Sequence, residues 1–172
     1  MNFKSYLNNR KDIELSISQS DVVDKISSFL EDKKGPQCFI LRGSAGSGKT
    51  FIGSLLKEYD ASGTYIFTPT GRAAKIFRSM VREYESRRNI STIHHGIYTH
   101  NRREDRYVDG KVKSPENLQS SKEIFGIKEN LNSDDAIYIC DESSMISDNK
   151  SSNRNLQFGS GMLLSDLFKH IE

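Results

Sequence analysis

Several features are scarce in this chain, and each scarcity narrows its class. Its two cysteines, Cys38 and Cys140, each sit inside an apolar run that reads as a buried strand. That context makes them small core residues rather than a disulfide or a metal pair. No stretch approaches the 18 or more apolar residues of a membrane span, and the N-terminus MNFKSYLNNRKDIEL lacks the apolar core of a signal peptide. The expectation is a cytoplasmic protein with no membrane partner. No internal repeat is visible, and the net charge of +2 by itself says nothing about polyanions. What remains is 172 residues, 35% hydrophobic, enough for one core and one domain.

The charge is unevenly spread. Residues 68–113 carry eleven Lys/Arg against five Asp/Glu, residues 1–67 nine against eight, and residues 114–172 five against ten. The basic excess is concentrated in the middle third, which begins at TPTGRAAK, residues 68–75.

Apolar spacing supplies the elements. Val22, Val23, Ile26, Phe29 and Leu30 give an amphipathic helix with Ser20 as N-cap and Gly35 past its end. QCFILRG (37–43), GTYIFT (63–68) and AIYICDE (136–142) read as buried strands. A helix follows the first of these strands. Another follows the second, with Ala73, Ala74, Phe77, Met80, Val81 and Tyr84 as its apolar stripe. Residues 100–135 read as a polar surface insertion, with a type I′ hairpin at Asp109-Gly110, and residues 148–159 as a flexible loop. A last helix starts near Ser160. Strand alternating with helix implies an α/β fold with a mainly parallel central sheet.

The chemistry starts at GSAGSGKT (43–50), which matches G-x-x-x-x-G-K-[ST] between a predicted strand and a predicted helix. Gly43, Ser44, Ala45, Gly46, Ser47 and Gly48 would curl backbone N–H groups around phosphate oxygens at the helix N-terminus, with Lys49, Thr50 and Phe51 completing the nucleotide site. Lys49 would reach the β- and γ-phosphates and Thr50 would ligate magnesium. Asp141 and Glu142 stand where an apolar run stops, as expected of a metal-holding carboxylate and of a general base that orients water. ATP and Mg2+ are the implied cofactors. The set offers no covalent nucleophile, so the reaction is hydrolysis of a nucleoside triphosphate. His95 and His100 have no Cys or carboxylate at metal spacing, and no zinc site is expected.

After the loop come TPTGRAAK, STIHHGIY (91–98) and DESSM (141–145). Together with the loop they resemble the first RecA-like domain of superfamily 1 DNA helicases of the RecD type, over about residues 15–172, with Ser143 where that family usually has Ala. The resemblance implies a RecA-like P-loop three-layer fold, translocation on single-stranded DNA driven by ATP, and Gln19 as the adenine reader. It also implies a DNA track formed by Thr70, Gly71, Arg72, Thr92 and His94, and a relay through Ser144 and Met145. Such helicases have a later G-D-x-x-Q motif in the first domain and a second RecA-like domain with an arginine finger, neither of which is in this sequence. On that ground the chain is expected to be part of a longer enzyme, with a sheet incomplete at its C-terminal end. Alone it should bind nucleotide, hydrolyse it weakly, unwind nothing and be prone to self-association. The competing readings are a P-loop regulatory ATPase or switch acting on protein partners, and a small-molecule phosphotransferase.

Overall fold

The computed structural model describes residues 2–34, 38–100, 107–108, 111–112, 123–151 and 156–172. In chain order the helices are α1 Phe3–Asn8, α2 Ile17–Glu31, α3 Lys49–Tyr59, α4 Gly71–Met80, α5 Ile93–Ile97 and α6 Leu163–Ile171. The strands are β1 Thr64–Thr68, β2 Ile90–Thr92, β3 Tyr98–His100, β4 Tyr107–Val108, β5 Lys111–Val112, β6 Glu123–Ile127, β7 Ile137–Cys140 and β8 Leu156–Phe158.

The central sheet has the order β2-β1-β7 and is parallel throughout. The two-residue period of its strands sorts the core. Ile66, Ile137 and Ile139 face α1 to α4, where Phe3, Val23, Ile52, Leu55, Ala74 and Phe77 are buried. Tyr65, Phe67, Tyr138 and Cys140 face the opposite way, toward Ile93, Ile97, Tyr98 and Leu167. Helices α1 to α4 therefore cover one side of the sheet, and α5, α6 and a second sheet cover the other.

The expected strand at QCFILRG does not form. Residues 38–44 have no regular structure, and Ile40 is 69% exposed while Phe39 lies on Phe29 with ring centroids 5.6 Å apart. An apolar run becomes a strand only where another strand offers its N–H and C=O groups. Here β1 is already paired on both sides, and residues 38–44 do not pair with the outer edge of β7, which no described strand occupies. Cys38 is accordingly exposed, not a core residue. Cys140 is half-buried, and burial pushes its thiol up to about 11.

Other boundaries also move. α2 starts three residues earlier than its expected cap at Ser20. Ser16 is the N-cap, its Oγ accepting from the Gln19 N–H while the Gln19 side chain accepts from the Ser16 N–H, a closed capping box. The expected stop at Gly35 lies outside the described residues. α4 ends at Met80, so Tyr84 leaves the apolar stripe and is 75% exposed, whereas Phe77 and Val81 stay buried. α6 begins at Leu163, after Ser160.

The second sheet, β3-β6-β8, was not read from sequence. β6 falls within the stretch read as a surface insertion and β8 within the stretch read as a loop. Both are three to five residues long with polar flanks, and they pair with partners distant in sequence. β4 and β5 pair antiparallel, and the turn residues Asp109 and Gly110 lie outside the described residues. A buried contact holds the second sheet to α6: Asp166 accepts from the Tyr98 hydroxyl at 2.6 Å and from the Ser160 N–H at 3.0 Å. Burial and this carboxylate both push the Tyr98 phenol above its ordinary range.

Candidate functional site

Parallel strands bring their C-terminal ends to one edge, which is where open α/β sheets collect ligands. In this sheet Phe67 is level with Cys140, and Thr68 with Thr92. The residues that follow each strand, Thr70, Ile93 and Asp141, thus emerge side by side.

The phosphate loop runs into α3 through Gly46 at φ 76° and Gly48 at φ 89°, left-handed conformations that a Cβ disfavours. A Cβ on Gly48 would also lie 2.5 Å from Gln19 Nε2. Gly43, Ser44, Ala45, Gly46 and Ser47 are exposed, Lys49 and Thr50 are half-buried, and half-buried Phe51 packs against the core under α3. Lys49 Nζ donates to the Gly43 and Ser44 carbonyls, both at 2.9 Å, and so bridges its own loop.

Gln19 lies where the expectation put it, beside the loop, but its amide is already in use. Oε1 accepts from the Ser16 N–H at 3.0 Å and Nε2 donates to Ser47 O at 3.5 Å. Each atom keeps capacity for one more hydrogen bond.

The loop and the acidic pair meet. Thr50 Oγ1 donates to Asp141 Oδ2 at 3.4 Å, while Asp141 Oδ1 accepts from the Glu142 N–H at 3.1 Å. The Asp141 N–H donates to Phe67 O at 3.0 Å, which fixes the carboxylate to the end of β1. Two hard oxygen donors, a hydroxyl and a carboxylate, suit magnesium. Glu142 is exposed and adopts φ 51°, ψ 42°. Among the described residues it is the single non-glycine with positive φ, a strained conformation of the kind that clusters at functional sites.

The turn side of the ridge is equally defined. Thr70 caps α4, its side chain accepting from the Ala73 N–H at 3.2 Å, and Thr92 caps α5 through the His95 N–H at 3.3 Å. Gly71 is the first residue of α4 and is exposed, as are Arg72 and His94. Arg72 and Lys75 have no ion-pair or hydrogen-bond partner among the described residues, whereas Arg78 and Arg87 donate to backbone carbonyls and Arg82 pairs with Asp12. Among the described residues near the turn, two cations of the middle third, Arg72 and Lys75, are thus left unpaired.

Sequence reasoning missed Thr68. It is buried, and its hydroxyl lies 3.0 Å from Thr70 O and 3.3 Å from Ser91 O, bridging the two turns. The first threonine of TPT was the available signal. Desolvation lowers the His94 pKa, so the ring is held toward its neutral form.

No helix among the described residues is long and apolar enough to cross a membrane. A cleft of about 400 Å³, lined by Asn130, Asn132, Tyr138 and His170 among others, contains none of the loop, acidic-pair or turn residues. No curated protein and no solved structure gives a significant match. The family of the AAA domain, a nucleotide-binding ATPase class, matches residues 29–153, a span holding the phosphate loop, both capped turns and the Asp141-Glu142 pair, and the chain belongs to that family.

Proposed function

We propose that this chain is the ATP-binding part of a DNA helicase of the RecD type, which couples ATP hydrolysis to movement along single-stranded DNA. The observation that carries this reading is that β1 serves both halves of the ridge. Its Phe67 carbonyl holds Asp141, and its last residue, Thr68, ties the Thr70 turn to β2. A shift at the nucleotide end therefore has a short covalent route to the turn.

In this reading the loop N–H groups of Gly43 to Gly48 and the N-terminus of α3 hold the phosphates. Lys49 exchanges its two loop carbonyls for phosphate oxygens. Gln19 uses its spare donor and acceptor on the adenine edge. Thr50 and Asp141 would hold magnesium, which when bound supplies charge neutralisation on the phosphate chain. Glu142 accepts a hydrogen bond from the attacking water and orients it. Thr70, Gly71 and the N-terminus of α4 accept a DNA phosphate beside Arg72, with Thr92 and His94 along the same track. A second RecA-like domain supplies the arginine that speeds hydrolysis, so the chain alone turns over slowly and does not separate strands.

The test is ATPase activity with and without single-stranded DNA across a salt series. The rate rises with DNA and the rise shrinks with salt, as phosphate contacts are screened, and Lys49→Ala removes the signal. An ATPase indifferent to DNA at every salt concentration would refute the helicase reading while leaving nucleotide binding intact.

A further inference from the structure

The cleft of about 400 Å³ belongs to neither half of the ridge. Ala136, on its wall, immediately precedes β7, whereas Asp141 immediately follows that strand, about 16 Å along the chain at 3.3 Å per residue. The walls are the segment 128–136 and the last turn of α6, and both are fixed. Lys128 Nζ donates to the His95 carbonyl at 2.6 Å, and the Lys128 carbonyl accepts from His170 Nδ1 at 2.9 Å. The Tyr138 hydroxyl donates to Asn130 Oδ1 at 3.1 Å and accepts from Asn132 Nδ2 at 2.9 Å, while Asn130 Nδ2 donates to Ile171 O at 3.2 Å. What these bonds leave over is one-sided. A carbonyl only accepts, so the His170 proton is on Nδ1, and Nε2 is an acceptor in the neutral ring. His170 is only 6% exposed, and its Nε2 has no partner among the described residues. Half-buried Asn132 likewise has an unpartnered Oδ1 there. Further out, Glu129, Asp134 and Glu172 are exposed carboxylates without an ion-pair partner among the described residues. Lys169 is the one cation on the wall left unpaired among them, because the Lys128 ammonium is held by His95.

We infer that this cleft binds a linear aliphatic polyamine. A buried acceptor without a donor costs free energy, so the inner wall calls for N–H groups, and the outer carboxylates call for positive charge. The carbonyl end of α6 adds a partial negative charge on the same side. No group of three His, Cys, Asp or Glu among the described residues could hold a metal ion, so the cation that fits is an organic one. One ammonium group donates to His170 Nε2 and Asn132 Oδ1, the methylene chain lies against Ala136 and Ile171, and a second ammonium group meets the carboxylates outside. The volume is in the range of small-molecule sites.

The test is calorimetric titration of the full chain with spermidine at an ionic strength of about 0.15 M, where exposed carboxylates alone attract a cation weakly. Spermidine binds at one site, and tetramethylammonium, a cation without N–H donors, does not bind. In NMR spectra the Asn132 side-chain amide and the Tyr138 amide shift with spermidine, and those of Gly43 to Thr50 do not. Glu129→Gln and Asp134→Asn each weaken binding roughly threefold, and Lys169→Ala tightens it by a similar factor. His170→Phe weakens it about tenfold or more. Thermal unfolding shows whether that buried variant still folds, and the three surface variants decide the matter if it does not. Equal binding of spermidine and tetramethylammonium, an affinity unchanged in all three surface variants, or shifts confined to Asp141 and Glu142 would each overturn the site. Any of these results leaves the helicase reading standing, because no residue of the ridge takes part.

Discussion

Thr50 and Asp141 lie 91 residues apart in the chain, and the hydroxyl of one donates to the carboxylate of the other at 3.4 Å. The contact joins the start of α3 to the end of β7 and gathers the oxygen donors expected around magnesium. Asp141→Asn keeps a hydrogen-bond acceptor but removes the charge. Calorimetric titration with ATP, with and without magnesium, should show the metal-dependent share of affinity largely lost in this variant and the metal-free affinity little changed.

Glu142 is expected to separate binding from turnover. Glu142→Gln should bind nucleotide as the wild type does while its ATPase falls by at least a hundredfold. Because φ is 51° at this position, Glu142→Gly should also make the folded chain more stable, by about 1 kcal/mol in thermal unfolding. A glycine variant both inactive and stabilised would mark the strain as retained for function.

Gly96 has no room for a side chain. A Cβ there would fall 2.3 Å from a Phe67 ring carbon. Gly96→Ala should lower stability by about 1–3 kcal/mol in denaturant unfolding, the usual range for overpacking a filled core. A neutral result would mean that α5 shifts freely on β1.

His94 gives a pH dependence of known sign. Desolvation lowers its folded pKa below the ordinary 6.5, so between those two values the unfolded chain binds more protons than the folded one. Stability should therefore fall as pH drops through about 6.5 and level off below the folded pKa. Chemical denaturation across pH 5 to 8 should show a shallower slope for His94→Asn than for the wild type.

How much of this was legible in the sequence depends on whether an element carries its own partner. The phosphate loop could be found because glycine spacing and a lysine encode it locally, and GTYIFT and AIYICDE because each is a continuous apolar run with side chains packed on both faces of the sheet. QCFILRG has the same apolar pattern, yet residues 38–44 pair with no strand. β6 and β8 are the converse case, with weak patterns rescued by pairing. Side-chain occupancy was hidden as well: nothing in the sequence says that the Gln19 amide closes a capping box or that Lys49 bridges Gly43 and Ser44.

The outer edge of β7 should be detectable. The Ile137 and Asp141 N–H groups donate into β1, so by the two-residue period those of Tyr138 and Cys140 point away from it. Hydrogen exchange at low concentration should be faster at Tyr138 and Cys140 than at Ile139. Light scattering should give an apparent mass that rises with concentration, since Ile137–Cys140 has no charge or proline to discourage pairing.

That edge also carries an address. Any strand laid parallel along Ile137–Cys140 would finish level with Asp141, at the end of the sheet where Thr50 meets the acidic pair. Extending the sheet there and bringing a further side chain to that end would then be a single event, whichever polypeptide supplies the strand.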